Sequence, residues 1–291
     1  MATAGQWWGG ARVRTLPAAI APVAVGTGLA AHVDAFIAVR ALLALVVAVA
    51  LQIGVNFAND YSDGIRGTDT NRVGPMRLVG QGLAKPSHVK FAAFVCFGVA
   101  GVAGLVLIAM THQWWLIIIG IACIVAAWSY TGGSQPYGYR GLGEIFVFIF
   151  FGLVPVMGTA YVQTLSFSLI AIVGGAGVGA LACAILVTNN LRDIPGDTMS
   201  GKQTLAVRLG DAATRRLYTL LIIVGVASPV VLAALSSPLV VIGCVTALLA
   251  IPPLRLVNGG ALGPALVPAL KQTGLLLLVF GLVVGGLLAL T

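Results

Sequence analysis

Residues 38–63 read AVRALLALVVAVALQIGVNFANDYSD, an apolar run that ends in a row of amides and carboxylates. The run is long enough to cross a bilayer as a helix, which takes ~20 mostly apolar residues. Its polar positions are spaced for one helix face. Gln52, Asn56, Asn59/Asp60 and Asp63 follow one another at intervals of three or four. An apolar helix with a polar stripe at one end is the unit from which the rest of the chain is read.

Eight more bounded runs accompany this one, so the nine lie at about 16–31, 38–58, 91–111, 114–130, 143–163, 168–188, 217–236, 238–257 and 271–290. They predict an all-α polytopic membrane protein of nine transmembrane helices, with residues 1–291 as one integral-membrane domain. The runs are continuous and about twice the length of a barrel strand, which excludes a β-barrel. Only 8% of the residues are charged, against about 25% in a soluble domain, so a soluble enzyme is excluded. The first run follows Arg12 and Arg14 as a signal peptide would. With eight spans behind it, a retained helix is the better reading. Cys96, Cys123, Cys183 and Cys244 all sit inside apolar runs without CxxC spacing. They read as packing residues and not as a disulfide frame or a metal site.

Placing the bases orients the chain. With a cytoplasmic N-terminus, fifteen of the sixteen Lys and Arg fall in the N-terminal segment and in 59–90, 131–142, 189–216 and 255–271; only Arg40 lies opposite. Segments on the other side are short, so the functional mass faces the cytoplasm. The topology rule, anionic lipid or an anionic substrate accounts for the basic excess, and nucleic acid is not implied.

Five of the eight acids fall in two clusters. The first is Asn59-Asp60-Tyr61-Ser62-Asp63, continuing to Arg66 and Asp69 after the second helix. The second is Asn189-Asn190-Leu191-Arg192-Asp193, continuing to Asp197 after the sixth. Polar groups at membrane depth usually face the bundle interior, so the two stripes are expected to face each other across one cavity. Like charges at i, i+3 or i+4 repel, which calls for a cationic partner. Oxygen ligands suit Mg²⁺, which commonly combines one or two carboxylates with substrate phosphate oxygens. Two acidic clusters with nearby bases therefore read as a metal–diphosphate site. The bases near the clusters are Arg66, Arg72, Arg77, Lys85, Lys90, Arg140, Arg192, Lys202 and Arg208. Arg66, Arg140 and Lys202 stand first, because each adjoins glycines that let backbone approach a ligand. Of the other acids, Asp34 reads as a turn residue and Asp211 as the cap of the seventh helix. Glu144 reads as a favourable charge at a helix N-terminus, with a place lining the site as the lesser alternative. Five tryptophans near span ends read as interface anchors, and the glycines at 174, 175, 177 and 179 as a close helix-packing face.

These motifs, NDYSDGIRGTD and NNLRDIPGD on nine helices, resemble the UbiA superfamily of intramembrane aromatic prenyltransferases. Within it they are most similar to the 1,4-dihydroxy-2-naphthoate polyprenyltransferase (MenA) branch. The wider superfamily shows NDxxDxxxD; here Gly67 stands eight after Asn59 and the acid comes two later, at Asp69. That variant is typical of the naphthoate branch. So are Gly201-Lys202-Gln203-Thr204 and Tyr130-Thr-Gly-Gly with Pro136-Tyr-Gly-Tyr139-Arg140-Gly.

The resemblance implies a UbiA-like bundle around a central cavity, capped on the cytoplasmic side by loops 2–3, 4–5 and 6–7. It also implies a bacterial plasma membrane, with a long prenyl tail kept in membrane lipid. It implies Mg²⁺ held mainly by Asn59, Asp63, Asp193 and Asp197 with Asp60 and Asp69 supporting, and diphosphate held by Arg66, Arg140 and Lys202, with Arg77 and Arg192 nearby. The substrates it implies are polyprenyl diphosphate and 1,4-dihydroxy-2-naphthoate, joined with loss of CO₂. Gln52, Asn56, Asn190 and Tyr130 are the candidate acceptor contacts, and Asp60 and Asp69 the candidate bases.

Two other readings fit the motifs less well. A prenyltransferase of the same superfamily acting on another acceptor, such as 4-hydroxybenzoate, is disfavoured by Gly67-Thr68-Asp69. A secondary transporter with an acidic ion site needs access from both sides and often shows inverted repeats. Here both clusters lie on one side.

Overall fold

The computed structural model describes residues 2–67 and 76–291, so Asp69 and Arg72 lie outside the described residues. Among the described residues there is no strand, and the chain is a bundle of apolar helices. In order these are α1 (Ala4–Gly10), α2 (Pro17–His32), α3 (Ala38–Ile65), α4 (Pro86–Thr111), α5 (Leu116–Ser129), α6 (Gly143–Phe148), α7 (Val154–Thr164), α8 (Leu169–Met199), α9 (Leu205–Leu235), α10 (Ile251–Asn258) and α11 (Val267–Ala289). A π-helical turn, Ile149–Leu153, joins α6 to α7, and a 3₁₀ stretch, Pro238–Ala250, precedes α10. Apolar helical segments thus lie at all nine positions read from the sequence. Seven are long and apolar enough to cross a membrane by themselves, and α1 with α2 form an eighth if that pair, bent by 48°, counts as one span. The remaining segment, α5, has 14 residues, or about 21 Å of helix, against a hydrocarbon core of about 30 Å. The molecule is an integral membrane protein.

Local chemistry sets several helix ends. Pro86 opens α4 at a first-turn position, where its missing N–H costs nothing. The Ser168 hydroxyl accepts the Ala171 N–H at the start of α8, and the Thr204 hydroxyl accepts Val207 N–H at the start of α9. Asp34 sits in a left-handed turn between α2 and α3 (φ 55°), as its place between two runs implies. Arg40 donates to the carbonyls of Val162 near the end of α7 and Met110 near the end of α4 (3.0 and 3.3 Å). A cation at helix C-termini is favourable, so this base serves the fold.

Several boundaries differ from the hydropathy reading, among them the end of α3, at Ile65 instead of 58. α8 continues eleven residues past 188, to Met199, and carries Pro195 inside it. α9 starts at Leu205 instead of 217, and α4 at Pro86 instead of 91. Of the segments read as long loops, 189–216 is therefore mostly helix, because backbone bonding continues where the apolar run stops. Asp211 stands at the start of the main part of α9, close to its expected place. It lies just past a break at Gly210 (φ 75°) within α9 and pairs with Arg215 at 2.6 Å.

Glycines let the helices around the centre approach backbone to backbone. A Cβ on Gly28 of α2 would fall 2.1 Å from the Gly285 carbonyl oxygen of α11. One on Gly152 would fall 2.4 Å from the Gly179 Cα of α8. The second approach fixes the π-turn, and with it α6, against the glycine face of α8. The cysteines are all free.

Candidate active site

The polar stripe of α3 divides into two parts with different work. Nearest the bundle centre, Gln52 Nε2 donates to the Thr15 hydroxyl at 2.8 Å. One turn on, Asn56 Nδ2 donates to the Ala11 carbonyl (3.0 Å) and the Thr15 hydroxyl (2.9 Å). Both side chains are buried. They fasten the segment linking α1 to α2 onto α3. Asp60 also meets the backbone of another segment. It is fully buried, one carboxylate oxygen accepts the Leu78 N–H at 2.6 Å, and the other accepts the Val79 N–H at 3.0 Å. The carboxylate thus has both oxygens engaged by backbone donors. Its position pins the returning chain, with fully buried Leu78, onto α3.

The last turn of α3 is different. Asp63 is 3% exposed and collects groups from three other segments. Arg77 Nη2 lies 3.3 Å from one oxygen, Lys202 Nζ lies 3.8 Å from the other, and the Tyr139 hydroxyl donates to that second oxygen. Lys202 also lies 4.4 Å from the centre of the Tyr139 ring, and Gln203 N–H donates to the Tyr139 carbonyl. The chain after α3, the turn Tyr137–Arg140 and the turn after α8 thus meet on one carboxylate. A buried carboxylate needs such compensation.

Asn59 accepts the Thr131 hydroxyl at 2.7 Å, and Arg66 donates to the carbonyls of Thr131 and Gly133 while lying 5.5 Å from the Tyr139 ring centre. Arg140 does not join the group. Its guanidinium is exposed and donates to Gln135 at 3.1 Å.

On α8, Arg192 grips Asp193 with two donors at 2.7 Å each and reaches Asn189 at 2.8 Å. Asn190 Nδ2 donates to Glu144 Oε1 at 3.0 Å. The Asp197 carbonyl accepts the Lys202 N–H, which ties the end of α8 to the turn that carries this lysine. Tyr130 meets Tyr137 edge-on at 5.4 Å, and Tyr137 stacks on Phe146 at 3.9 Å. Burial pushes the Tyr137 hydroxyl above its ordinary pKa, and it donates to the Ala126 carbonyl. It is a packing group.

Tyr139, Thr131 and Glu144 are the residues the sequence undervalued. Tyr139 stands beside the favoured Arg140 in a motif that was legible, but nothing in the motif says which of the two turns inward.

Among the described residues no three His, Cys, Asp or Glu side chains gather as a ready metal cage. The donor chemistry nevertheless fits Mg²⁺. Carboxylate and amide oxygens at the ends of α3 and α8 stand beside Lys and Arg, and Mg²⁺ commonly takes only one or two protein carboxylates when phosphate oxygens complete its shell. With bases gathered on Asp63, the arrangement suits a metal-bridged diphosphate.

Residues 19–258 match the family described as the UbiA prenyltransferase family. The 1,4-dihydroxy-2-naphthoate octaprenyltransferase of Mycobacterium tuberculosis is 54% identical over 290 residues, covering 99% of this chain and 98% of its own. Its namesake in Escherichia coli is 40% identical over 222 residues, covering 74% of this chain and 72% of its own. A UbiA homolog from Aeropyrum pernix has a similar structure, with a TM-score of 0.70 at 14% identity over 91% of this chain and 96% of that one. A UbiA homolog from Archaeoglobus fulgidus bound to GPP and Mg²⁺ scores 0.67 at 14% identity, over 96% and 99%. The structural likeness establishes the fold, and the sequence matches establish the family: this chain is a member of the UbiA prenyltransferases.

Proposed function

We propose that the protein transfers a polyprenyl group from polyprenyl diphosphate to 1,4-dihydroxy-2-naphthoate with loss of CO₂, giving demethylmenaquinol. The observation that carries this reading is the meeting of Arg77, Lys202 and Tyr139 on buried Asp63. It joins the first acidic cluster to the basic turn behind the second. The names of the relatives, which cover the whole chain at 54% identity, support the acceptor.

In this reading Asn59, Asp63, Asp193 and Asp197 hold Mg²⁺, which when bound supplies charge neutralisation to the diphosphate. Arg66, Arg77, Arg192 and Lys202 donate to the phosphate oxygens as the allylic C–O bond breaks. Donors aimed at developing charge are worth about 3–4 kcal/mol each in a water-poor site. Arg140, facing solvent, serves as an outer contact for incoming diphosphate. The bundle excludes water from the carbocation. The carboxyl-bearing ring carbon attacks it, and departure of CO₂ restores the aromatic ring. Asn190 and Tyr130 line the acceptor side. Asp69 stays the remaining base candidate of the first cluster. Nine spans around a central cavity, an N-terminus and site on the cytoplasmic side, a cap from the loops, and a bacterial plasma membrane complete the proposal.

Asp63→Ala and Asp193→Ala test the site in membranes supplied with defined substrates and Mg²⁺. Loss of at least a hundredfold in turnover in both is expected. Near-normal turnover in both defeats the metal–diphosphate reading.

A further inference from the structure

Glu144 is a buried acid to which the proposed chemistry gives no work, and unlike Asp60 it is not held by the backbone of a neighbouring segment. It opens α6, is 9% exposed, and faces α8. Two bonds two helical turns apart on α8 fix its position. The Cys183 thiol donates to the Glu144 carbonyl at 3.0 Å, and the Asn190 amide donates to carboxylate oxygen Oε1, also at 3.0 Å. The other oxygen, Oε2, is buried with no hydrogen-bond partner among the described residues. Leaving a carboxylate oxygen unpaired away from water costs several kcal/mol. Nothing in the packing needs an acid here, since an amide side chain would satisfy Asn190 equally well. Its bonded neighbour Asn190 is one of the proposed acceptor contacts. Asn190 precedes Asp193 by three residues, so Glu144 lies about 4.5 Å further along the α8 axis from the acidic end. A Cβ on the preceding Gly143 would come 3.6 Å from the Tyr130 hydroxyl. An aromatic ring below a diphosphate held at Asp193 would lie at this level.

We infer that Glu144 is the acceptor's proton partner: Oε2 binds the ring hydroxyl next to the carboxyl-bearing carbon and takes its proton as the ring attacks. The inference deepens the proposed function and rests on it. The electron bookkeeping closes. The hydroxyl O–H pair becomes part of the new ring carbonyl, a ring π pair forms the C–C bond to the prenyl carbon, and the C–O pair leaves with diphosphate. The product of that step is a β-keto acid. Its C–CO₂⁻ pair then flows back into the ring as CO₂ departs, and the carbonyl oxygen recovers the proton from Glu144. No external acid, base or oxidant is consumed. Asn190 is a positioning residue that holds Oε1 and turns Oε2 toward the ring.

The test uses the purified full chain in detergent with geranyl diphosphate and Mg²⁺. Glu144→Gln keeps the volume and the bond to Asn190 but cannot take a proton. A kcat loss on the order of 100-fold is expected, the usual scale of a lost general base, with the Kd for geranyl diphosphate and thermal stability unchanged. Turnover within threefold of the parent overturns the inference. If the variant does not fold, the unaltered protein decides by competition between 1-hydroxy-2-naphthoate and 4-hydroxy-2-naphthoate. The 1-hydroxy isomer should bind at least tenfold tighter, and equal binding overturns the inference. If the parent prenylates a different hydroxy-aryl acid, the proposed function fails. The Glu144→Gln ratio, measured on that acid, then still decides the role of Glu144.

Discussion

Asp60→Asn separates a structural anchor from a catalytic base at a position where the motif alone suggests catalysis. The native carboxylate is fully buried and accepts two backbone N–H groups, from Leu78 at 2.6 Å and Val79 at 3.0 Å. Asparagine offers one oxygen in place of two and turns an NH₂ toward the second amide. One charge-assisted bond is lost and one buried donor is left unpaired, a cost of about 2–3 kcal/mol. Asp60→Ala removes both bonds and costs about 4 kcal/mol on the same basis. The effect should be local. Hydrogen exchange at Leu78 and Val79 rises, protease cleaves between 76 and 85 more readily, and thermal stability falls, more in Ala than in Asn. Activity follows the fraction of protein with this segment docked. An Asn variant with unchanged exchange and stability but a hundredfold lower kcat refutes the reasoning and makes Asp60 a base.

Lys202→Met removes a cation that lies 3.8 Å from Asp63 and against the Tyr139 ring. Calorimetry should give a Kd for geranyl diphosphate raised ten- to a hundredfold, and an unchanged Kd would take Lys202 out of the diphosphate site. Asn56→Leu loses the bonds to Ala11 and Thr15 and should lower stability by about 1–3 kcal/mol with the acceptor KM unmoved. A raised KM at full stability would return Asn56 to the acceptor pocket. Gly28→Val places a side chain where even a Cβ meets the Gly285 carbonyl at 2.1 Å. Poor recovery of folded protein is expected, and a normal melting curve would contradict the α2–α11 packing.

The sequence was most legible where hydropathy decides. All nine apolar segments appear, and the i, i+3/i+4 spacing put Asn59–Asp63 and Asn189–Asp197 on helix, where α3 and α8 have them. The glycines at 175, 177 and 179 do meet neighbouring chain closely. Legibility failed at the membrane edge, where a helix leaves lipid without ending. Asp193 and Asp197 therefore lie beyond the apolar run but still within α8, and a short helical piece precedes the break at Gly210 in α9. It failed again inside the polar stripe. Spacing shows that Gln52, Asn56, Asp60 and Asp63 share a face, but the partners arrive from 11–15, 77–79, 139 and 202, far along the chain. Only the fold separates Asp60, held by backbone amides, from Asp63, held by cations. Glu144 was hidden differently. A helix-start acid is ordinary in sequence, and its unpaired oxygen exists only once α6 packs on α8.

The central claim is prenyl transfer onto a naphthoate with loss of its carboxyl group. Its most direct test is mass spectrometry of products from membranes given carboxyl-labelled 1,4-dihydroxy-2-naphthoate, prenyl diphosphates of several lengths and Mg²⁺. The account predicts a prenylated naphthoquinol without label, and one equivalent of labelled CO₂ for each diphosphate released. Product that keeps the label, or product formed only from another aromatic acid, would contradict it.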